Sequence, residues 1–417
     1  MTAPRNNKRV ILTWVSLFLT IGTLGYFVLI NEQLAAMTVS RSRREVAAIA
    51  SHGTGTYPAQ PKIQDTFEDK ETFSSCLLIM DDNHRLPEWI AYHYFALPLR
   101  HLIVAVDPNS KTSPNSILDQ WKDLINIEVW SDADFTSEDL KILPGDSAEE
   151  KTTKHRHRQV YFYQACAEYL QEEKSRTWTT FHDIDEYIAL NHDVIQDTNA
   201  RMLASQPGHV IQTVKKYSET EYRNTAQVEP ALWYTHFQRS SCVTIARAMY
   251  SAVESKPEET AKDVPDFIDP VKFDTLRFRH RESPRTKLTA DGKAKSIIDV
   301  SKLTEKDYAT AGHNMHRPIQ SVCPSDRKIK YNDLPLGIHH YLGSWEAYSF
   351  RDDARDGQRQ HNFEAWNKKA FKHEGGPDDQ IRPWISGFAN QVGAETARRL
   401  LQDAGLPKPP LTKNLRG

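Results

Sequence analysis

Short apolar runs alternate with helical patterns between residues 74 and 185 of this 417-residue chain. Four runs have the character of buried strands: Ser74–Met80, His101–Val106, Ile125–Trp130 and Trp178–Asp185. Between them the pattern predicts helices over Leu86–Leu97, Ser116–Leu124 and Lys154–Glu172. Strands that alternate with helices predict an α/β fold with a parallel sheet. In such sheets ligands bind beyond the carboxyl ends of the strands.

A 21-residue run without a charged residue, Val10 to Ile30, precedes this pattern. A helix rises about 1.5 Å per residue, so the run can cross a hydrocarbon core of about 30 Å. Basic residues before the run favour a cytoplasmic N-terminus, although three arginines between residues 41 and 44 weaken that signal. A cleaved signal peptide is the competing interpretation. Its apolar core usually spans about 7–15 residues, so an uncleaved transmembrane signal anchor is favoured.

The remaining boundaries follow from composition. We expect a cytoplasmic tail at residues 1–9, the anchor at 10–30 and a stem or linker at 31–72, where turn-forming residues are frequent. One large domain is expected at 73–404, followed by a loose tail at 405–417 that is rich in Pro and Lys. The formal net charge of −2 gives no sign of binding to a nucleic-acid polymer.

The four cysteines contain no CxxC pair, which makes a zinc ribbon improbable on spacing alone. In an oxidising compartment they allow three complete disulfide pairings. Cys76 lies in an apolar run and is interpreted as a buried thiol. Because Cys76 and Cys166 fall in core-like segments, we predict a disulfide between Cys242 and Cys323.

The triplet Asp183-Ile184-Asp185 closes the fourth apolar run. In an extended segment residues two apart point the same way, so both aspartates are expected on one strand face. Paired carboxylates suit a hard divalent cation such as Mn²⁺ or Mg²⁺, which can neutralise charge on a diphosphate leaving group. Such a triplet alone often marks a surface turn, but its position at the end of a predicted strand favours a metal site.

Two adjacent histidines, His339 and His340, lie in the sequence GIHHYLGSW. Neutral imidazole is a common metal ligand, and on a strand only one of two neighbours can face the metal. A pair of partly buried structural histidines is the alternative. Downstream, Ser344, Arg351 and Arg355 offer groups that suit phosphate oxygens, unless the arginines form only a solvated helix face.

Two further polar clusters are candidates. Arg158 lies in the basic stretch Lys154 to Cys166 at the start of a predicted helix, where it could contact a diphosphate, although such stretches are more often solvent-exposed. Asp378 and Asp379 lie in a Gly- and Pro-rich turn. They are candidates for a general base, or are only turn residues.

Several of these motifs follow one another in the order found in a known family. CLLIMDDNHRLPEWIAYHY, HLIVAVDPNS, WTTFHDIDEYI and HHYLGSWEAY, within residues 74–390, resemble glycosyltransferase family 92 and related membrane-bound glycosyltransferases. The resemblance implies a GT-A fold, a nucleotide-diphospho-sugar transferase architecture whose α/β nucleotide domain is followed by an acceptor half. It also implies Golgi residence, type II topology, dependence on Mn²⁺ and inversion at the anomeric carbon.

The resemblance also assigns roles to single residues. Asp183 and Asp185 match the family's metal motif, and His340 matches its His-Tyr motif better than His339 does. These three residues are therefore the expected ligands of Mn²⁺ or Mg²⁺.

The donor site is expected among residues that follow the strands. Asp82 and Asp107 match strand ends that resemble the family's nucleotide pocket. The other expected donor-binding residues are Arg158, Ser344 and Arg351. A UDP-sugar such as UDP-galactose is the expected donor, and a glycan or glycoconjugate is the expected acceptor.

The expected reaction is a single displacement in which Asp378 or Asp379 deprotonates an acceptor hydroxyl that then attacks the sugar. A metal-dependent hydrolase on the same fold is one alternative, and it would release free sugar or phosphate without an acceptor. A catalytically silent glycan-binding relative is the other, and it would lack metal-dependent nucleotide binding.

The apolar run predicts a membrane topology that can be measured. If Val10 to Ile30 is an uncleaved anchor, residues 31–417 face the lumen, and protease added to sealed microsomes leaves them intact. Digestion without detergent would show the opposite orientation. A mature N-terminus near Ala35 or Ala36 would identify a cleaved signal peptide instead.

Overall fold

The computed structural model describes residue 67 and residues 72–136, 140–192, 195, 200–212, 241–283, 294–309, 314, 316–323, 331, 334–350 and 363–406. The predicted tail, apolar run and stem up to residue 66 lie outside these ranges, as do Arg351, Arg355 and residues 407–417 of the predicted C-terminal tail. Backbone contacts divide the chain into Met1–Lys62 and Ile63–Gly417, and every described residue belongs to the second unit. Among the described helices, none combines the length and apolarity needed to span a membrane.

In the described part of the chain, eight strands form one curled sheet with the order β3-β2-β1-β4-β7-β6-β8-β5. The strands are β1 (Phe73–Ile79), β2 (Leu99–Val106), β3 (Asn126–Trp130), β4 (Trp178–Phe181), β5 (Glu186–Leu190), β6 (Cys242–Tyr250), β7 (Lys295–Asp299) and β8 (Leu336–Tyr341). The predicted α/β class is confirmed at this level.

The first half of the sheet is parallel. β1 pairs in parallel with both β2 and β4, and β2 pairs in parallel with β3. Successive residues of β1 enter different cores: Leu77 and Ile79 pack in one apolar cluster, and Cys76 packs in another. β1, β2 and β4 are buried and read in the sequence as continuous apolar runs, whereas β3 is partly exposed. The predicted bounds of β1, β2 and β3 hold to within two residues, but β4 ends at Phe181, four residues before its predicted end.

The second half of the sheet is mixed. β7 is antiparallel to β4 and to β6, β8 is parallel to β6, and β5 is antiparallel to β8. β5 is therefore separated from β4 in the sheet by β7, β6 and β8, although only residues 182–185 join the two. Four residues span too little distance to bridge a flat sheet of that width, since neighbouring strands lie about 4.8 Å apart. The sheet must curl to bring the start of β5 back to the end of β4.

The helices are α1 (Leu86–Ala96), α2 (Asn115–Leu118), α3 (Ala148–Glu172), α4 (Ala200–Leu203), α5 (Pro257–Thr260), α6 (Asp274–Arg277), α7 (Glu305–Ala309), α8 (Trp345–Phe350), α9 (Phe363–Ala370), α10 (Trp384–Val392) and α11 (Ala394–Leu401). Helix α3 begins six residues before the predicted start, because Ser147 and Glu150 form a capping box at its N-terminus. The helix predicted over Ser116–Leu124 is shorter, and a 3₁₀ turn at Asp119–Trp121 continues α2.

Helices cover both faces of the parallel half. Trp89 of α1 packs in the larger apolar cluster together with Trp384 and Phe388 of α10. Phe162 and Cys166 of α3 pack in the second cluster on the other face. This three-layer arrangement buries β1, β2 and β4 and leaves their carboxyl ends as the accessible edge.

Two disulfides join elements that are distant in sequence. The predicted Cys242–Cys323 disulfide is confirmed. The interpretation of Cys76 as a free buried thiol is wrong, because Cys76 of β1 is bonded to Cys166 of α3. Both cysteines do lie in the core, as predicted, but their side chains face each other across the strand–helix interface.

Removal of either disulfide by a paired Cys→Ala substitution is expected to lower the free energy of unfolding by about 2–5 kcal/mol, because each closes a long loop. The sequence separations are 90 residues for Cys76–Cys166 and 81 for Cys242–Cys323. Urea unfolding without reductant measures the effect, and wild-type protein in dithiothreitol is the control. Unchanged midpoints would contradict this expectation.

Candidate functional site

The carboxyl ends of the four parallel strands all carry aspartates. Asp82 follows β1, Asp107 follows β2, Asp132 follows β3, and Asp183 and Asp185 follow β4. In the order β3-β2-β1-β4, β2 and β3 are added on one side of β1 and β4 is added on the other side. Ligands bind in the crevice at such a switch point. The residues after β1 and β4 are therefore the centre of the candidate site.

The D-x-D triplet does not lie on a strand, so the expectation of a shared strand face for Asp183 and Asp185 is wrong. β4 ends at Phe181, and the triplet forms the short connection to β5. The backbone N–H of Glu186 donates to the Asp183 carbonyl (3.0 Å) and closes a turn. The two aspartates face different partners as a result.

Asp183 is held by a lysine from β7. The Lys295 Nζ lies 2.8 Å from the Asp183 Oδ2 and 3.1 Å from the Glu186 Oε2. Glu186 also accepts a hydrogen bond from the Asp183 backbone N–H (2.9 Å). The Asp183 side chain remains 41% exposed, whereas those of Lys295 and Glu186 are buried. Asp183 is thus the outer member of an ion-paired group.

Asp185 faces the second half of the sheet. Its Oδ2 lies 3.3 Å from the Nε2 of His340 and 3.7 Å from a terminal nitrogen of Arg85. Burial alone would raise the pKa of Asp185, but His340 and Arg85 outweigh burial and hold that pKa below its ordinary range. The other carboxylate oxygen, Oδ1, is buried without a hydrogen-bond partner. Asp185 therefore retains an unused acceptor at the crevice.

The two histidines of β8 face opposite sides of the sheet, as strand alternation predicts. His340 lies beside Asp185, whereas His339 is buried against Tyr250, whose hydroxyl lies 3.2 Å from the His339 Nε2. The Nδ1 of His340 lies 3.3 Å from the Glu186 Oε1. Burial disfavours a charged imidazole, but Asp185 and Glu186 raise the pKa of His340 above its ordinary value.

Arg85 joins the loop after β1 to the centre. Besides Asp185, its guanidinium contacts Asp82 at 3.7 Å and Asp274 at 3.0 Å. Asp274 begins α6, where Glu88 accepts hydrogen bonds from the Asp274 and Thr275 backbone N–H groups. Asp82, an expected donor-binding residue, is therefore buried and directed toward a cation of the same site.

The other predicted nucleotide-binding pair forms a second ion-paired group. Arg158 of α3 is buried between two strand ends, where it donates to Asp107 (2.8 Å) and to Asp132 (2.8 Å). Arg158 is therefore not on a solvated helix face. Its guanidinium fixes the loops after β2 and β3 relative to each other.

The remaining predicted residues have other partners. Ser344 caps α8, where its hydroxyl accepts from the Ala347 backbone N–H (3.3 Å). Asp378 is buried and accepts from the Tyr250 hydroxyl (3.0 Å), which places it on the His339 side of the sheet. The Asp379 carboxylate is 45% exposed and pairs with Arg279 at 3.2 Å. Their assignment as bases stays a prediction.

Sequence reasoning missed the cations of the site and one of its carboxylates. No motif singles out Arg85, Lys295 or Arg247, and Glu186 is conspicuous only as the residue after the triplet. The Arg247 guanidinium lies 2.9 Å from the His340 Nδ1 and 3.6 Å from Glu186. A lysine at the head of the apolar run KSIID was the one available signal for Lys295.

The carboxylates of the centre are largely engaged by cations of the protein itself. Among the described residues, no group of three or more His, Cys, Asp or Glu side chains is arranged to hold a metal ion. The Oδ1 of Asp185 is nevertheless without a hydrogen-bond partner, and the other oxygen, Oδ2, lies 3.3 Å from the His340 Nε2. Arg247 can only donate to the His340 Nδ1, so the proton of a neutral imidazole lies on Nε2, toward Asp185. A cation at Nε2 would have to displace this proton. The Asp183 carboxylate is already paired with Lys295. Its role as a metal ligand therefore stays a prediction.

Comparisons with known proteins add no assignment. No protein-family model matches this chain, and a search of curated proteins finds no match to it.

Gly343 is required where the loop after β8 passes Arg85. Its φ is +76°, and a Cβ at this position would lie 2.2 Å from a terminal nitrogen of Arg85. Gly343→Ala is therefore expected to cost about 1–2 kcal/mol of backbone strain and also to displace the guanidinium from Asp185. Gly376→Ala is the matched control, since its φ is +72° and a Cβ there would meet no atom within 4 Å. Urea unfolding of both variants should show the larger loss for Gly343→Ala, and equal losses would argue against the close approach.

Proposed function

We propose that this chain is a metal-dependent glycosyltransferase that transfers a sugar from a nucleotide-sugar donor to a glycan acceptor with inversion. The observation that carries the proposal is the pairing of Asp185 with His340 at the switch point of the sheet, 3.3 Å apart. Carboxylates and arginines surround this pair at the ends of the strands, where α/β proteins bind nucleotides. UDP-galactose is the first donor to test.

The topology supports a GT-A fold for residues 73–404. A parallel half, β1 to β4, is followed by a mixed half that supplies Lys295, Arg247 and His340 to the same centre. This agrees with a nucleotide domain followed by an acceptor half. The type II anchor at residues 10–30 and Golgi residence remain part of the proposal on the grounds of the sequence.

Asp185 and His340 are the residues that would hold the divalent cation. Cations such as Mg²⁺ are commonly bound by one or two carboxylates together with substrate phosphates, so two protein donors are sufficient. When bound, the cation neutralises charge on the diphosphate leaving group. Asp183 lies at the exposed side of the same group, where its free surface can meet the donor.

The other residues of the site bind and orient. Arg85 fixes Asp82 and Asp185 in their positions before the donor arrives, and Arg158 fixes Asp107. A fixed arrangement of charges requires little reorganisation during the reaction. Asp378 and Asp379 remain the proposed bases for the acceptor hydroxyl, and the exposed Asp379 is the more accessible of the two.

A donor screen on the domain distinguishes this function from its alternatives. Nucleotide sugars are incubated with and without Mn²⁺ and with a mixture of glycan acceptors, and thermal shift reports which nucleotide stabilises the protein. Transfer that requires both Mn²⁺ and an acceptor supports the proposal. Release of free sugar without acceptor would indicate a hydrolase. The absence of nucleotide binding would indicate a catalytically silent relative.

Asp185→Asn is expected to abolish transfer, because it removes a full negative charge while it keeps the side-chain shape. Arg85 and His340 stabilise the Asp185 anion, so a small loss of melting temperature is expected.

His340→Ala is the partner variant. It should weaken Mn²⁺ binding less than Asp185→Asn does, because water can replace the imidazole as a ligand. Transferase activity and Mn²⁺ titration are measured on both variants, with melting temperature as the folding control. Full activity in Asp185→Asn would rule out the proposed metal site.

A further inference from the structure

Four aromatic side chains form one cluster on α8, on α9 and just after α9: Trp345, Phe363, Trp366 and Phe371. In this ring cluster Trp366 is buried, and its ring centroid lies 5.9 Å from that of Trp345, 5.7 Å from Phe363 and 6.0 Å from Phe371. Phe363 and Phe371 are 53% and 58% exposed. Two exposed rings that contact one buried ring form a continuous apolar surface, and such surfaces mark binding sites more often than scattered side chains do.

The ring cluster borders the charged centre through Gly343. The Trp366 Nε1 donates a hydrogen bond to the Gly343 carbonyl (3.1 Å), and the Arg85 guanidinium packs against the same glycine. Two residues before Gly343, the Tyr341 backbone N–H donates to the Asp185 carbonyl (2.9 Å). The loop after β8 therefore contacts Asp185, Arg85 and the ring cluster within three residues.

The segment that follows the ring cluster leads to the proposed bases. The carbonyl of Ala370, at the end of α9, accepts a hydrogen bond from the Ala252 backbone N–H (2.8 Å). Eight residues further on, the Asp378 backbone N–H donates to the Arg279 carbonyl (2.7 Å). Fixed backbone thus connects the ring cluster to Asp378 and Asp379, and a surface that is already rigid loses little conformational entropy when it binds a ligand.

The composition of this surface favours a sugar over a protein or a membrane. The exposed charged side chains on the same two helices have both signs: Glu346, Glu364 and Lys368. The cores of protein interfaces are depleted of charge, and helices that lie on membranes carry mainly Lys and Arg on their polar face. A pyranose fits both parts of the surface, because its C–H groups are attracted to the negative face of an aromatic ring and its hydroxyls bond charged groups.

We propose that the ring cluster is the subsite for the acceptor, and that it binds a pyranose sugar by stacking of the sugar's C–H face on Phe363 and Phe371. The inference rests on the proposed function and adds the chemical class of the acceptor and the residues that select it. Trp345 and Trp366 support the two exposed rings from behind. Through Gly343 the bound sugar lies next to the centre that contains Asp185.

Sugar binding provides the first test, because it requires no donor. Aromatic protons of the purified full-length protein are saturated in the presence of lactose, chitobiose or mannobiose, and nuclear magnetic resonance detects transfer to the protons of each sugar. We expect at least one disaccharide to receive saturation mainly on its C–H face. Phe363→Ala and Phe371→Ala should each weaken its binding about tenfold, whereas Phe363→Tyr keeps the ring and should preserve binding.

Tyr161→Ala is the matched control, since Tyr161 is 44% exposed but lies on α3, outside the ring cluster. The melting temperature of every variant checks its folding. Saturation of none of the three disaccharides, or equal affinity in wild type and both alanine variants, would overturn the inference. It would also fail if the alanine variants abolished self-association or binding to phosphatidylcholine–phosphatidylserine vesicles and left the affinity for sugars unchanged.

Transfer kinetics separate this inference from the proposed function. With a donor that is transferred, Phe363→Ala and Phe371→Ala should raise the KM for the disaccharide about tenfold and leave the KM for the donor unchanged, because the rings contact only the acceptor. An unchanged KM for the disaccharide would overturn the inference while the proposed function stands. If no donor is transferred but the rings bind a disaccharide, the proposed function fails and the sugar site stands.

Discussion

The guanidinium of Arg85 holds three separate parts of the chain together at the centre of the site. It contacts Asp82 after β1, Asp185 before β5 and Asp274 at the start of α6, and its side chain is only 7% exposed. A cation buried to this degree is tolerated because several carboxylates satisfy it. The position of Asp185 therefore depends on a residue far earlier in the chain, and the loop at Gly343 must stay free of a side chain to admit the guanidinium.

Alternation along β8 separates the chemistry of the site from the scaffold that supports it. His340 faces the charged side chains, whereas His339 packs against the ring of Tyr250, with centroids 4.6 Å apart. On that side of the sheet, the Tyr250 hydroxyl donates a hydrogen bond to the Asp378 carboxylate. The imidazole beside Asp185 is thus carried by a strand whose opposite face is locked in an aromatic core, and this limits its freedom to move.

Local patterns were sufficient for the strands of the parallel half, for the opposite orientation of His339 and His340 and for the Cys242–Cys323 disulfide. They failed at Asp183 and Asp185, because an apolar run does not reveal that the strand ends at Phe181, before either carboxylate. They also failed for Lys295 and Arg85, whose partners Asp183 and Asp274 lie 112 and 189 residues away in sequence. The first pair depends on the antiparallel pairing of β7 with β4, and the second on the contact of α6 with α1. No short-range periodicity encodes these long-range contacts.

The buried ion pairs of the centre set a limit on how this domain can be made more heat-resistant. Buried charges that are replaced together by well-packed apolar residues often leave a protein as stable or more stable. A library selected only for survival at high temperature would therefore drift toward apolar side chains at Arg85, Lys295 and Glu186. The selected variants would keep the curled sheet and lose the charged side chains inside it. Selection for thermal stability must therefore be combined with selection for ligand binding.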